Sequence, residues 1–352
     1  MKRAILYDIK KLAIEEVPQP KCPDDGLLIQ VKTCAVCATD VKIYNYGHIL
    51  LKLPRVLGHE TAGIICDIGK KMQGRFKAGQ RVAVCAVVNC CECIYCRRAF
   101  PSMCTDLKAF GYHFDGGYQE YMIVPNEAIR CGGMNILSDD ISFQEASLAE
   151  LLACCINGQR LSGFHLGQSV LIIGSGPVGI LHAQLARNQG AADIYIADII
   201  PDKLQQAQDI CGNILSGTID SGDSKKFIDE VNRITCGIGF DQIMICCSAP
   251  AAQQVALDCV AKCGCINFFG GLPKDKSHVL LDTNHVHYKQ CRIVGTHGSS
   301  AEDNRIALNM ITNKMLDANS LISRSINLEQ LQETLTISEK PDNTLKTIVE
   351  FN

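Results

Sequence analysis

One glycine pattern constrains the fold of this chain more than any other feature. The apolar segment 169–173 runs directly into a G-x-G-x-x-G turn, and an amphipathic helical pattern follows the turn. The first glycine permits the tight turn, the second lets the backbone approach a pyrophosphate, and the third allows the helix to pack on the strand. The pattern therefore predicts a dinucleotide site formed by Gly174, Ser175, Gly176, Pro177, Val178 and Gly179.

An acidic residue after the next predicted strand favours NAD over NADP. Asp198 lies 22 residues beyond Gly176, where a carboxylate accepts hydrogen bonds from an adenosine ribose and repels a 2′-phosphate. No arginine follows it directly, but Lys203 is close enough in sequence to leave NADP open. The alternative is a glycine turn in an unrelated α/β protein, with Asp198 as a helix cap.

The hydrophobic periodicity changes near the middle of the chain. Residues 1 to about 150 contain short strand patterns at 26–31, 62–67, 80–86 and 118–124, separated by turn residues, which is typical of an all-β barrel or sandwich. From residue 169, buried strand patterns alternate with helical ones and predict parallel βαβ units. The predicted elements there are strands 170–173, 194–197, 242–246, 266–269 and 292–295, and helices 178–188 and 201–210. A helical pattern from about residue 304 and a strand pattern at 345–351 complete the chain.

Composition excludes several classes of protein. A length of 352 residues indicates two domains, and a net charge of -3 provides no basic surface for nucleic acid. The apolar runs are far shorter than the roughly 18 residues of a membrane helix, and we expect no secretion signal. Twenty-one cysteines in such a chain indicate metal ligands or reduced core thiols, and hence a cytoplasmic protein.

Four cysteines are spaced as a structural zinc lobe within residues 88–106. Cys90, Cys93, Cys96 and Cys104 follow the pattern C-x2-C-x2-C-x7-C. Four thiolates complete a tetrahedral zinc shell and leave no open position, so such a site orders a loop and does no chemistry. Cys91 could compete as a ligand, and an iron–sulfur cluster or a lobe that has lost its metal are the alternatives.

A second set of residues suits a catalytic metal. Cys37, His59, Glu60 and Glu150 offer a thiolate, an imidazole and carboxylates. Three such ligands would leave the fourth zinc position for water or substrate, as catalytic zinc requires. The alternatives are a structural histidine and, for Glu150, a solvent-facing position on a helix.

The order of these motifs resembles that of the zinc-dependent medium-chain dehydrogenases. The resemblance rests on 37–40 (Cys-Ala-Thr-Asp), 57–60 (Leu-Gly-His-Glu), the cysteine lobe, 115–121 (Asp-Gly-Gly-Tyr-Gln-Glu-Tyr) and the glycine turn. Glutamate at position 150 and the stretches 267–273 and 296–300 are similar to the polyol branch typified by sorbitol (L-iditol) dehydrogenase.

This resemblance implies a fold and a domain organisation. A Rossmann doubly wound parallel sheet, residues 153–297, is expected to be inserted into a GroES-like β-barrel catalytic domain formed by residues 1–152 and 298–352. The active site is expected in the cleft between them. Relatives are dimers or tetramers, so a homo-oligomer is expected, with the strand at 292–295 as a possible interface edge.

The resemblance also implies roles for single residues. Cys37 and His59 would hold the catalytic zinc, while Glu60 and Glu150 would alternate as the carboxylate ligand, directly or through water. Thr39 would relay the substrate proton, and Asp40 would orient a ligand.

The resemblance further places the nicotinamide near Thr296, and implies two zinc ions per chain. The sequence departs from many relatives at Lys42, where they have histidine, and at Leu151, where they have proline.

The resulting hypothesis is an enzyme that interconverts a polyol's secondary alcohol and the ketone with zinc and NAD(H). The alternatives are dehydrogenases of a sugar-alcohol phosphate, a short-chain secondary alcohol or threonine. Lys52 and Arg55 could bind such a phosphate, although a solvated charge is the simpler interpretation. A hypothesis of another class is a non-catalytic NAD-binding protein.

Overall fold

A computed structural model describes residues 1–336 and 343–352. Its strands are β1 (Lys2–Asp8), β2 (Lys11–Glu16), β3 (Leu27–Ala35), β4 (Arg55–Val56), β5 (Glu60–Ile68), β6 (Arg81–Val84), β7 (Val87–Val88), β8 (Lys108–Ala109), β9 (Tyr121–Val124), β10 (Met134–Ile136), β11 (Ser169–Ile173), β12 (Asp193–Asp198), β13 (Gly217–Asp220), β14 (Phe240–Ile245), β15 (Val260–Phe268), β16 (Arg292–Gly295), β17 (Ile322–Ile326) and β18 (Lys346–Glu350).

The α-helices are mostly short in the first part of the chain and longer in the second. They are α1 (Ala38–Tyr46), α2 (Ile94–Arg97), α3 (Asn126–Arg130), α4 (Phe143–Ser147), α5 (Ala149–Ser162), α6 (Pro177–Asn188), α7 (Pro201–Cys211), α8 (Ser224–Ile234), α9 (Pro250–Cys259), α10 (Thr283–Lys289), α11 (Ala301–Thr312) and α12 (Leu331–Leu335).

The chain forms two compact units. The first comprises Met1–Ala153 and Gly298–Asn352, and the second comprises Cys154–His297. Within the described ranges, no helix combines the length and the apolarity that crossing a membrane requires.

The first unit is built on a seven-stranded sheet of order β10-β6-β5-β3-β18-β17, in which β9 also pairs with β3. Leu27, Ile29 and Val31 of β3 are fully buried and pack with Ile65 of β5 and other apolar side chains. Leu28, on the opposite face of the strand, is only 1% exposed, so both faces are covered at the start of β3. The C-terminal strand β18 is antiparallel to β3, so the end of the chain lies beside the residues that follow β3.

The second unit has six parallel strands in the order β13-β12-β11-β14-β15-β16. This order, with the first strand of the unit at the centre, is that of a Rossmann fold. The central strand β11 is almost entirely apolar and buried, as a parallel strand covered on both faces must be. The expected fold class is confirmed: the second unit is a Rossmann unit that falls within the sequence of an all-β unit.

Several element boundaries differ from the sequence prediction. The strand predicted at 118–124 begins only at Tyr121, because the backbone N–H of Tyr118 donates to the carbonyl of Leu57 outside the ladder. Strand β15 begins at Val260, six residues before the predicted start at 266. Residues 217–220 and 224–234, for which no element is predicted, form β13 and the amphipathic helix α8.

Candidate metal centre and dinucleotide site

Three predicted metal ligands of the first unit lie together. Ligand atoms of Cys37, His59 and Glu60 are all within 4.8 Å of one another. The sheet explains why: Ala35, the last residue of β3, pairs with Glu60, the first residue of β5. Cys37 follows β3 by two residues and His59 precedes β5 by one, so an antiparallel register brings the ends of two distant segments to one point.

The polar atoms of this cluster fit a bound cation. Glu60 is fully buried, and among the described residues its Oε1 has no hydrogen-bond partner. A buried carboxylate oxygen without a partner costs free energy unless a cation or a donor meets it. One thiolate, one imidazole and one carboxylate are ligands that zinc accepts, and three of them leave a position open.

Asp40 holds His59 in a fixed orientation. Oδ1 of Asp40 lies 3.4 Å from Nδ1 of His59, so the other ring nitrogen, Nε2, is the one available to a metal. Oδ2 of Asp40 accepts hydrogen bonds from the hydroxyl of Tyr118 at 2.8 Å and from the backbone N–H of Cys37 at 3.1 Å. Asp40 is 1% exposed, and it also caps α1, so the carboxylate that faces His59 has little freedom to move.

Nearby negative charges and burial shift the pKa of His59 in opposite directions. Burial lowers the pKa of His59, but the negative charges of Asp40 and Cys37 raise that pKa well above the usual value. In the metal-free chain, His59 therefore carries a proton that must leave before its nitrogen can bind a metal.

A lysine from the opposite end of the chain completes the cluster. Nζ of Lys346 lies 2.5 Å from Oε2 of Glu60 and donates to the carbonyl of Val36 at 2.9 Å. Burial lowers the pKa of Lys346, but the negative charges of Glu60 and Cys37 raise that pKa, so the side chain stays charged. Lys346 thus pairs with Oε2 of Glu60, and Oε1 is the oxygen left available to a metal.

The remaining predicted residues of the centre have different positions. Glu150 lies in the first turn of α5 and is not one of the three grouped ligands, although its charge contributes to raising the pKa values of Lys346 and Tyr112. Thr39 is half-buried, and its backbone N–H lies 3.4 Å from Sγ of Cys37.

The four-cysteine lobe has the dimensions of a closed zinc site. The sulfur atoms of Cys90, Cys93, Cys96 and Cys104 form one group, in which Sγ of Cys96 lies 3.5 Å from that of Cys93 and 4.0 Å from that of Cys90, and the sulfurs of Cys93 and Cys104 are 3.9 Å apart. Zinc–sulfur bonds of about 2.3 Å in a tetrahedron place the sulfurs about 3.8 Å apart. A four-iron cluster would hold them further apart, because iron and sulfide ions would lie between them. The spacing therefore favours a single zinc ion, and Cys91 is not part of the group.

The glycine turn of the second unit has the shape that a pyrophosphate requires. Gly174 has φ +111°, and a Cβ on Gly179 would lie 1.9 Å from the carbonyl oxygen of Gly174. Apart from its chain neighbours, no residue among those that the structure describes has an atom within 4 Å of a Cβ built on Gly176, the residue that caps α6. The turn is closed on the protein side and open at the helix N-terminus, where a phosphate is favourable.

The other predicted cofactor residues are partly engaged within the second unit. Oδ2 of Asp198 accepts hydrogen bonds from the backbone N–H and the hydroxyl of Ser175 at 2.8 and 2.9 Å. Lys203 lies in the first turn of α7. The hydroxyl of Thr296 is hydrogen-bonded to the side-chain amide of Asn267.

Sequence reasoning missed three residues around the metal centre. Lys346 is a charged residue at the start of the apolar strand β18, which is a signal that could have identified it. Tyr118, the partner of Asp40, lies within the 115–121 motif without an assigned role. The ring of Tyr112 lies 6.3 Å from that of His59 and 5.2 Å from that of His48, and no sequence pattern indicates this wall beside the metal centre.

Family models match most of both units. Residues 23–131 match the alcohol dehydrogenase GroES-like domain, and residues 177–313 match the zinc-binding dehydrogenase domain. The sorbitol dehydrogenase of Bacillus subtilis is 27% identical over 95% of this chain and 92% of that protein. An L-threonine 3-dehydrogenase of Cronobacter sakazakii is 28% identical over 90% of each chain.

A solved structure shows the same architecture. The chain superimposes on a zinc-binding dehydrogenase of Sinorhizobium meliloti bound to NADP, with a TM-score of 0.89 and 25% identity, over 99% of this chain and 98% of that one. Together with the two domain matches and the paired metal-ligand clusters, this likeness shows that the chain belongs to the zinc-dependent medium-chain dehydrogenase family.

Proposed function

We propose that this protein is a zinc-dependent polyol dehydrogenase that interconverts a secondary alcohol and the ketone with NAD(H). The family consists of oxidoreductases that act on CH–OH groups. The observation that carries the proposal is the group Cys37, His59 and Glu60, in which three ligand atoms converge and Oε1 of Glu60 is buried without a hydrogen-bond partner.

The residues around the proposed metal site have different roles. Cys37, His59 and Glu60 would provide the three ligands, and Glu150 would be the alternative carboxylate, directly or through water. When bound, zinc acts as a Lewis acid that lowers the pKa of an alcohol, and NAD accepts the hydride. Asp40 keeps His59 in orientation, and Lys346 neutralises Glu60, so that carboxylate exchange leaves no unpaired charge.

Thr39 takes the proton of the alcohol in this proposal. Its backbone N–H contacts the sulfur of Cys37, so the residue lies next to the ligand cluster. A threonine hydroxyl both donates and accepts, and can therefore pass a proton onward without a change in its own charge. Lys42 stands where many relatives have histidine, so the onward route differs from theirs.

Two arguments support NAD over NADP. Asp198 places a carboxylate at the end of β12 that repels a 2′-phosphate, and its hydrogen bonds to Ser175 hold it beside the glycine turn. The similar protein of Sinorhizobium meliloti is bound to NADP, so the preference is tested by comparing kcat/KM for the two cofactors.

A phosphorylated substrate is less well supported. Nη1 of Arg55 lies 2.9 Å from the carboxylate of Asp115, so the cation nearest to His59 in sequence is already neutralised. Threonine is the stronger second candidate, because L-threonine 3-dehydrogenases are among the relatives that match this chain over 90% of its length.

The assembly and its location complete the proposal. We propose two zinc ions per chain, one in each cluster, and a homo-oligomer in which β16, an edge strand of its sheet, contributes to the interface. All 21 cysteines are free thiols, which supports a cytoplasmic location.

The test is a side-by-side assay of the purified, zinc-loaded protein. Sorbitol, xylitol, L-iditol, 2,3-butanediol, L-threonine and a hexitol phosphate are each oxidised with NAD and with NADP, and kcat/KM is measured. The proposal expects the highest values with a free polyol and NAD. Highest activity with threonine would favour the second candidate. Absence of turnover with every alcohol, together with one zinc per chain, would indicate a non-catalytic NAD-binding protein.

A further inference from the structure

Two cysteines with no assigned role meet beside the four-cysteine lobe. Sγ of Cys91 lies 2.7 Å from Sγ of Cys131. Cys91 is exposed and Cys131 is half-buried, so a small solute can reach the pair. The two residues are 40 positions apart, and each has a different neighbourhood: Cys91 lies in the lobe, and Cys131 ends α3.

The local backbone turns Cys91 away from the zinc ligands. Cys91 lies between the lobe cysteines Cys90 and Cys93, but it is not part of their group. Its φ of +67° is in the left-handed region that few non-glycine residues occupy. The carbonyl of Asn89 accepts a hydrogen bond from Sγ of Cys131 at 2.7 Å. The side-chain amide of Asn89 lies 3.3 Å from Sγ of Cys91 and 3.4 Å from Sγ of Cys96. Asn89 thus holds the pair together and separates it from the lobe.

The distance within the pair distinguishes it from the ligand cluster. Sulfurs that share one zinc ion lie about 3.8 Å apart, as those of the lobe do, so 2.7 Å leaves no room for a metal ion between Cys91 and Cys131. A disulfide needs a separation of about 2.05 Å, which is a smaller change from 2.7 Å. Bond formation is therefore the chemistry that this geometry favours.

We propose that Cys91 and Cys131 are an oxidative modification site, which hydrogen peroxide converts into a reversible disulfide. The bond ties the lobe to the end of α3 and consumes no zinc ligand.

The reaction takes place in two steps. The deprotonated sulfur of Cys91, the more exposed thiol, attacks one oxygen of peroxide; the S–O bond forms, the O–O bond breaks, and the hydroxide takes up a proton as water. The sulfur of Cys131 then attacks the sulfenic sulfur of Cys91; the S–S bond forms, the S–O bond breaks, and the thiol proton of Cys131 joins the released hydroxide, which leaves as a second water. Two thiols lose two electrons in total, and one peroxide becomes two waters. A dithiol reductant reverses the change by exchange.

The experiment maps thiols in the full-length, zinc-loaded protein. The protein is treated with a small molar excess of hydrogen peroxide, alkylated with iodoacetamide under denaturing conditions with a chelator, digested without reduction, and analysed by mass spectrometry. We expect a linked peptide pair containing Cys91 and Cys131, and a fall in alkylated cysteines from 21 to 19 per chain. Bound zinc, measured before denaturation, stays constant, and dithiothreitol restores all 21 thiols.

Variants separate this pair from general thiol oxidation. Cys131→Ser and Cys91→Ser each remove the linked peptide, whereas Cys236→Ser, which replaces an exposed thiol of the other unit, leaves it unchanged. Circular dichroism shows whether the variants are folded. If one of the two cysteine variants does not fold, the other alone is sufficient for the test. Linkage of Cys91 to a lobe ligand with loss of zinc, or complete alkylation of both Cys91 and Cys131 after peroxide, would overturn the proposal.

Discussion

The two metal-ligand clusters of this protein are built in opposite ways. The lobe takes its four ligands from fifteen consecutive residues, and the hydrogen bonds of Cys90 and Cys93 N–H groups to lobe sulfurs close it locally. The Cys37 cluster instead depends on the pairing of β3 with β5 and of β18 with β3. In the proposed assignment the closed site, local in sequence, would order the lobe, whereas the site built from distant segments of the sheet would leave one position for a substrate.

Replacement of Cys37 should have the largest effect, because Cys37 is a ligand of the proposed catalytic metal site. We expect Cys37→Ser to lower kcat by at least about 1000-fold, because the Lewis acid contributes several kcal/mol to the transition state. Zinc per chain should fall from two to one, while binding of NAD, measured by calorimetry, persists. Cys66→Ser, which replaces an exposed thiol on β5, is the control and should retain both. Normal turnover in Cys37→Ser would show that the open cluster is not the catalytic metal site.

The matching change in the lobe should affect stability rather than chemistry. Cys96→Ser removes one of four ligands, and structural zinc contributes directly to folding free energy. We expect loss of one zinc, a lower Tm in thermal unfolding, and kcat per remaining zinc that stays close to the original at a temperature where the variant is folded. Loss of kcat with an unchanged Tm would reverse the roles assigned to the two clusters.

Lys346 tests whether the open site depends on the C-terminal strand. Lys346→Met leaves the buried carboxylate of Glu60 without its cation, and removal of a partner from a buried ion pair costs about 3–5 kcal/mol. We expect zinc affinity of the catalytic site and kcat to fall by about 10–100-fold, as for other residues that orient metal ligands.

Two further variants show whether this effect is specific to the buried charge. Lys346→Arg should recover part of the affinity, because it keeps the charge. Arg324→Met, an exposed position on the neighbouring strand β17, should change neither affinity nor kcat. Equal losses in the methionine and arginine variants would indicate that only the packing of Lys346 matters.

The pH dependence of zinc binding should identify His59. Its pKa is raised in the metal-free chain, so below that pKa zinc must displace a proton, and affinity falls about tenfold per pH unit for each proton released. In Asp40→Asn the pKa of His59 falls, because a charge that raises it is gone, and the loss of affinity should begin at a lower pH. Competition with a chromophoric chelator between pH 5.5 and 8 measures both curves. Coincident curves would argue against the Asp40–His59 coupling.

The smallest expected effect concerns the wall beside the open site. Burial raises the pKa of Tyr112, so its hydroxyl stays neutral and can donate to a polyol oxygen. Tyr112→Phe removes a hydrogen bond of about 0.5–1.5 kcal/mol, and KM for the polyol should rise about threefold to tenfold. The kcat value should stay close to the original. An unchanged KM across all the polyols would show that Tyr112 does not bind the substrate.

Local patterns predicted the elements whose physics is local. The glycine turn 174–179, the strands β11, β12 and β16, and the spacing of the lobe cysteines each depend on residues within one segment. The position of Lys346 could not be predicted in this way. Its sequence context indicates a strand, but only the pairing of that strand with β3 brings Lys346 to Glu60.

Sequence alone determined the fold class and the glycine turn, and it picked out the residues of both candidate ligand groups, because periodicity and spacing act over short distances. Tertiary structure decided that Cys37, His59 and Glu60 share one point while Glu150 lies outside that group. It also decided that Cys91 faces Cys131 rather than the zinc ligands. The physical reason is that long-range pairing and backbone conformation select which side chains meet, and neither is recorded in the spacing of residues along one segment.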